Sequence, residues 1–199
     1  MVNRANAVSI GGAKTINSLT INADYQTANN ATLDIRTFTN FSAGTANLTF
    51  AATAGNNASI TVAQSTSGIA QVRLGSSDGG NVVLNTNLNL AQHNTYFGST
   101  GFQFEGKITG VGTINKTGLG EVRLIRDNSG WSGGLNINEG NVTIAASANA
   151  MGTGTWTLGG GATNTSLSVA SSATYSNADG LVVAAGAGTR TIQNYNAAN

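Results

Sequence analysis

The residues able to do acid–base or metal chemistry in this chain are few and scattered. They are eight carboxylates, Asp24, Asp34, Asp78, Asp127, Asp179, Glu105, Glu121 and Glu139, and a lone histidine, His93. Cleaving a polysaccharide needs two or three carboxylates brought together, as an acid and base pair or around a calcium ion. In a chain that stacks one repeat on the next, such groups meet only when they recur at the repeat length and in the same strand phase. Glu121 and Glu139 lie 18 residues apart and follow different kinds of strand; Asp24 and Asp34 lie 10 apart. Neither pair fits. His93, in AQHNTYFGS, has no cysteine and no second histidine to complete a zinc site, and it reads as a turn residue. The sequence therefore predicts no catalytic, cofactor-binding or metal-binding residue and no cofactor, and an enzyme is not expected.

Other tempting residues have plainer readings. Trp131 is a sugar-stacking platform on one view; the favoured view has it covering an outward Ile125 or seating the 126–134 loop. Trp156 and Met151 read as core or corner packing. GTGTWTLGGG and GAGTR lack the Lys-Ser/Thr step and following helix of a phosphate loop, so GGG at 159–161 reads as a tight corner.

Composition narrows the class. Only 9% of the 199 residues are charged, against about 25% in an ordinary domain, and the formal net charge is +1. That balance excludes a phosphate-tracking basic surface, so no nucleic acid partner is expected. Without cysteine there is neither a disulfide framework nor a thiolate metal site. Proline, which removes a ladder donor, is absent, and 27 glycines are spread along the chain. No apolar run approaches the length of a membrane-spanning helix, so the chain is not expected to span a bilayer. The opening MVNRANAVSIGGAKT contains no apolar stretch long enough for a signal peptide.

The elements that must carry these residues are short strands. Apolar pairs two residues apart occur at Leu19/Ile21, Leu33/Ile35, Leu48/Phe50, Ile60/Val62, Val72/Leu74, Leu88/Leu90, Phe102/Phe104, Val122/Leu124, Leu135/Ile137, Val142/Ile144, Trp156/Leu158 and Leu167/Val169. Each pair places two side chains on one face of a strand. No segment keeps the i, i+3, i+4, i+7 pattern of a helix for long enough to form one. A second-order repeat decides between a sandwich and a solenoid. TINK, LNIN and TWTL resemble one another, as do EVRLI, NVTIA and SLSVA, so two strand types alternate and each recurs after 20 to 25 residues. Such a coil cannot bury its inward side chains alone and must stack on another. The expected core has Leu124, Ile144 and Val169 in one inward column and Ile114, Ile137 and Leu158 in another. Outward Thr, Asn and Ser form hydrogen-bonded polar columns.

The stretch from Gly112-Thr-Ile-Asn-Lys-Thr-Gly118-Leu-Gly120-Glu-Val-Arg-Leu124 through Asn128-Ser-Gly-Trp131-Ser-Gly133-Gly134 to Glu139-Gly140-Asn-Val142 resembles the autotransporter-associated β-strand repeat. The likeness covers about 34 residues well; Ala150-Met-Gly152-Thr-Gly154-Thr-Trp-Thr-Leu158 resembles the segment that usually follows, and TINSLTIN at 15–22 fits loosely. It implies an all-β, right-handed parallel β-helix, here one elongated domain over 1–199 with its clearest coils at 112–170. It also implies a structural or adhesive role in a bacterial secreted or cell-surface protein, placed outside the cell. The chain departs from the complete pattern in carrying no secretion signal, translocator barrel or sorting segment, and in having Arg126-Asp127 where small polar residues are usual. Both ends look uncapped, so a fragment of a longer protein or an end-to-end stacking subunit is expected. The partners would be flanking repeats or further copies, with surface glycans as an outside partner. The alternative is a lyase-like or hydrolase-like β-helix acting on carbohydrate.

Overall fold

Alternation two residues long, cut by glycine and asparagine, leaves room only for strands of three to six residues. In the computed structural model these are β1 (Asn6–Ser9), β2 (Lys14–Ile16), β3 (Ser18–Ile21), β4 (Leu33–Arg36), β5 (Leu48–Phe50), β6 (Ala58–Val62), β7 (Val72–Leu74), β8 (Val82–Leu84) and β9 (Leu88–Gln92). They continue as β10 (Phe102–Phe104), β11 (Ile108–Gly110), β12 (Ile114–Thr117), β13 (Val122–Leu124), β14 (Leu135–Ile137), β15 (Gly140–Ile144), β16 (Trp156–Leu158), β17 (Thr165–Ala170), β18 (Leu181–Val183) and β19 (Arg190–Tyr195). The structure describes residues 6–9, 12–21, 33–36, 46–64, 72–75, 80–95, 101–170, 175 and 179–195. Among them there is no helix, and so none that could cross a membrane.

The strands form three parallel sheets. The first runs β1-β4-β7-β10-β13-β15-β17-β19, the second β2-β5-β8-β11 and the third β3-β6-β9-β12-β14-β16-β18. The chain visits first, second and third sheet in rotation as far as β12, then alternates between first and third. The first and third sheets therefore gain one strand per circuit throughout, and the second does so as far as β11, an arrangement consistent with a solenoid. Where the second sheet stops, irregular chain continues its side: Gly110 bridges to Trp131, and Thr153 N donates to Trp131 O at 2.9 Å. Circuit length varies along the stack: Val82 and Ile108 are partners 26 residues apart, Phe102, Val122 and Val142 follow one another at steps of 20, and Val142 and Leu167 are 25 apart.

Inward side chains stack in columns. Val72, Phe102, Val122, Val142 and Leu167 form one in the first sheet, and Leu74, Phe104, Leu124, Ile144 and Val169 the next. In the second sheet Leu48, Val82 and Ile108 stack. Each buried side chain of this size contributes about 1.5–3 kcal/mol, so stability accumulates circuit by circuit. Outward positions carry the polar ladder: Asn57 and Asn115 each donate an amide to Asn89 Oδ1 at 3.2 Å, and Asn136 donates to Asn115 Oδ1 at 2.9 Å.

All twelve apolar pairs read from the sequence fall within strands, and Leu124, Ile144 and Val169 share a column as expected. The other expected column is corrected. Ile114 pairs with Leu135, and the neighbour of Ile137 is Lys116, with Leu158 on its other side. The ladder starts where Ile114 N donates to Gly134 O, which aligns TINK with LNIN from Ile114 and Leu135 onward. A lysine thus occupies an interior position between Leu90 and Ile137.

Candidate functional site

The corner KTGLGE, between β12 and β13, holds the chemically least ordinary group in the described structure. By the alternation of β12, Ile114 and Lys116 both point inward, and Lys116 is 0% exposed. Its ammonium turns back at the corner. Nζ donates to the carbonyl of Gly118, to Glu139 O at 2.7 Å and, more weakly, to Thr117 O at 3.4 Å. The Glu139 carboxylate in turn accepts Gly118 N at 2.7 Å. Two successive circuits are clamped together by one lysine and one glutamate. Burial pushes the Lys116 pKa down from 10.5 to about 7, with the Glu139 charge acting in the opposite direction.

Glycine is obligatory at this corner. Gly118 has φ +78°, and a Cβ there would lie 2.3 Å from Gln92 O; a Cβ on Gly120 would lie 2.3 Å from Asn94 O. Leu119, between them, is 58% exposed.

Beside the corner a polar network covers the outer face of the first sheet. Buried Glu121 accepts the hydroxyl of Thr143, and Asn141 donates to Thr143 Oγ1 at 3.1 Å. Asn141 Oδ1 accepts from Ser166 at 2.8 Å and Ser168 at 3.0 Å, and Gln193 donates to Ser168 Oγ at 3.0 Å. An open cleft of about 350 Å³ lies over this network, lined by Leu119, Asn141, Asn164, Ser166, Thr191 and Gln193 among others.

The residues weighed from the sequence fall in separate places. Glu121 and Glu139 are engaged by different partners, Thr143 and Gly118. Glu105 pairs with Arg126, which also donates to Glu105 O at 3.0 Å, so Arg126 ties two circuits together. Asp127 is held below the usual carboxylate range, first by the backbone N–H of Ser129 and then by its side chain. Asp179 is exposed, and Asp24 and Asp78 lie outside the described residues, as does the side chain of Asp34. No group of three His, Asp or Glu able to hold a metal is found among the described residues. His93 follows β9, exposed.

The platform reading of Trp131 is overturned. The ring is 0% exposed, its Nε1 donates to Gly112 O at 2.8 Å, and it meets Trp156 edge to face at 6.4 Å. It seats the 126–134 loop by filling the interior where the second sheet has ended, and it does not cover Ile125 from outside. Trp156 and Met151 are buried as expected, with Trp156 Nε1 donating to Met151 O at 2.8 Å. Gly159 and Gly160 have φ of +89° and +127°, as a tight corner requires.

Two important residues drew no attention in the sequence. Lys116 could have been found, since alternation from Ile114 turns it inward. Asn128 could not. It is buried, accepts Ile108 N at 2.8 Å and donates to Ala150 O at 2.7 Å, joining the circuits on either side of its own.

The chain matches no family model, no curated protein and no solved structure. What can be said of its role therefore rests on its own geometry and on the repeat motif at 112–145.

Proposed function

We propose that the chain is a right-handed parallel β-helix of the autotransporter-repeat kind, serving as a structural or adhesive segment of a bacterial secreted or cell-surface protein. The observation that carries this reading is the eight-stranded parallel first sheet, which gains one strand per circuit from β1 to β19. Crossover connections between parallel strands are right-handed in nearly all cases, which supports a right-handed coil. Eight rungs about 4.8 Å apart make a stack about 34 Å long, and its repeated polar outside suits extension and contact. The likeness of the Gly112 to Val142 motif to the autotransporter repeat supports the family and the location.

Val183 and Ile192 continue inward columns of the third and first sheets and are each 56% exposed. In this reading a flanking repeat or a second copy covers them, extending the ladder. Light scattering over a wide concentration range, with electron microscopy, tests the assembly: rods that lengthen with concentration are expected, and Val183→Asp with Ile192→Asp should shorten them. A particle that stays single at every concentration would exclude self-stacking. Polysaccharide turnover lost on one Asp or Glu substitution would replace the structural reading with the catalytic one.

A further inference from the structure

The geometry points to the cleft beside the KTGLGE corner as a binding site for a neutral saccharide, with Leu119 packing on a sugar ring and the amides and hydroxyls of Asn141, Asn164, Ser166, Thr191 and Gln193 meeting its hydroxyl groups.

A single exposed leucine is ordinary on a protein surface. This one is displayed by a corner that has little freedom to rearrange. Neither Gly118 nor Gly120 can take a side chain without striking the carbonyl of Gln92 or Asn94, and the Lys116–Glu139 clamp ties the same corner to the next circuit. The apolar side chain therefore stands in water at the rim of a cleft of about 350 Å³, within the size range of small-molecule sites.

The lining selects the ligand. No charged side chain borders the cleft. The two cations nearest in sequence turn away from it: Lys116 is fully buried on backbone carbonyls, and Arg190 donates to the carbonyls of Gly188 and Gly161. An anionic ligand would find no countercharge among the lining side chains. A purely apolar ligand would strip water from amides and hydroxyls without replacing their hydrogen bonds, at a cost of about 1–3 kcal/mol for each. A neutral, hydroxyl-rich ring with one C–H face satisfies both halves of the site. The groups are also held in place beforehand: Asn141 is fixed by Ser166, Ser168 and Thr143, and Gln193 by Ser168, which lowers the ordering cost of binding. Glu121, the carboxylate beneath the network, is 6% exposed and engaged by Thr143, so the site holds a sugar without a free acid to cleave it.

This inference rests on the reading of the chain as a contact surface rather than an enzyme, and one titration separates the two. The full chain, labelled with 15N, is titrated with cellohexaose, xylohexaose and mannohexaose, and with trigalacturonate as the charged contrast, while chromatography follows the sugars. At least one neutral oligosaccharide should shift the amides of residues 119, 141, 164, 166, 191 and 193. Leu119→Ala and Gln193→Ala, both at exposed positions, should each weaken binding about tenfold without changing the circular dichroism. The proposal is overturned if no neutral sugar shifts these amides up to roughly 10 mM, if the shifts map elsewhere, or if trigalacturonate binds as tightly. Release of shorter sugars would overturn the non-catalytic reading while upholding the cleft.

Discussion

The ammonium of Lys116 donates to the backbone carbonyl of Glu139 in the next circuit, 2.7 Å away, while the carboxylate of that same glutamate caps Gly118 N. One interior charge is thus shared between two corners of the stack, and its protonation is linked to folding.

Stability should rise with pH above neutrality. The folded pKa of Lys116 is about 7 and its ordinary value is 10.5. Between those values the unfolded chain holds a proton that the folded chain has released, so raising the pH favours folding. The penalty is complete below pH 7 and gone above about 10.5, and its full span is on the order of a few kcal/mol. The three carbonyl contacts favour the ammonium and restrain the effect. Urea denaturation at pH 7 and pH 9.5 should show the midpoint increasing, and Lys116→Met should flatten the difference; a wild-type midpoint that does not rise would contradict the linkage.

Register makes two similar substitutions unequal. Leu135→Asp places a carboxylate between Ile114 and Trp156, whereas Ile137→Asp places one beside Lys116. Both should destabilise, because an ionised group enters the interior, and Leu135→Asp should cost several kcal/mol. Ile137→Asp should cost less, by about 1–2 kcal/mol, because it gains a countercharge. Equal losses in chemical denaturation would show that Lys116 does not share a column with Ile137.

Asn128→Ala should remove about 2–4 kcal/mol, since it orphans Ile108 N on one side and Ala150 O on the other. Asn128→Asp should not restore stability. It can still accept from Ile108 N, but it sets an oxygen against the Ala150 carbonyl. Hydrogen exchange at the Ile108 amide should speed up in the alanine variant, and an unchanged rate would count against the bridge.

Backbone conformation predicts opposite signs at two sites. Ala146 is exposed with φ +65°, so Ala146→Gly should stabilise by about 0.5–1 kcal/mol. Gly118→Ala combines φ +78° with a 2.3 Å approach to Gln92 O and should cost at least about 3 kcal/mol. Thermal melts of the two variants should move in opposite directions.

Alternation along one segment made most strands of the first and third sheets legible, because side-chain facing depends only on a residue's immediate neighbours, although Leu181/Val183 of β18 was passed over. Leu124, Ile144 and Val169 could be assigned to one column because they also recur at nearly one circuit, and the strand register makes them partners. The second sheet was less legible. Leu48/Phe50 was read, but Val82/Leu84 was passed over, and β11 ends in Gly110 and so offers no second apolar residue.

Residue types and their period of two thus determined that this protein is built of short strands with apolar insides and polar outsides, turning at glycine. Tertiary structure alone decided which residues of neighbouring strands are partners. A shift of two residues leaves every inward side chain inward, so the pattern could not tell Ile114 from Lys116 as the neighbour of Ile137; the hydrogen bond from Ile114 N to Gly134 O did. The interior place of Trp131 and the bridge made by Asn128 lie beyond local reading for the same reason, since their partners sit about one circuit away in the chain and meet them only once the strands are stacked.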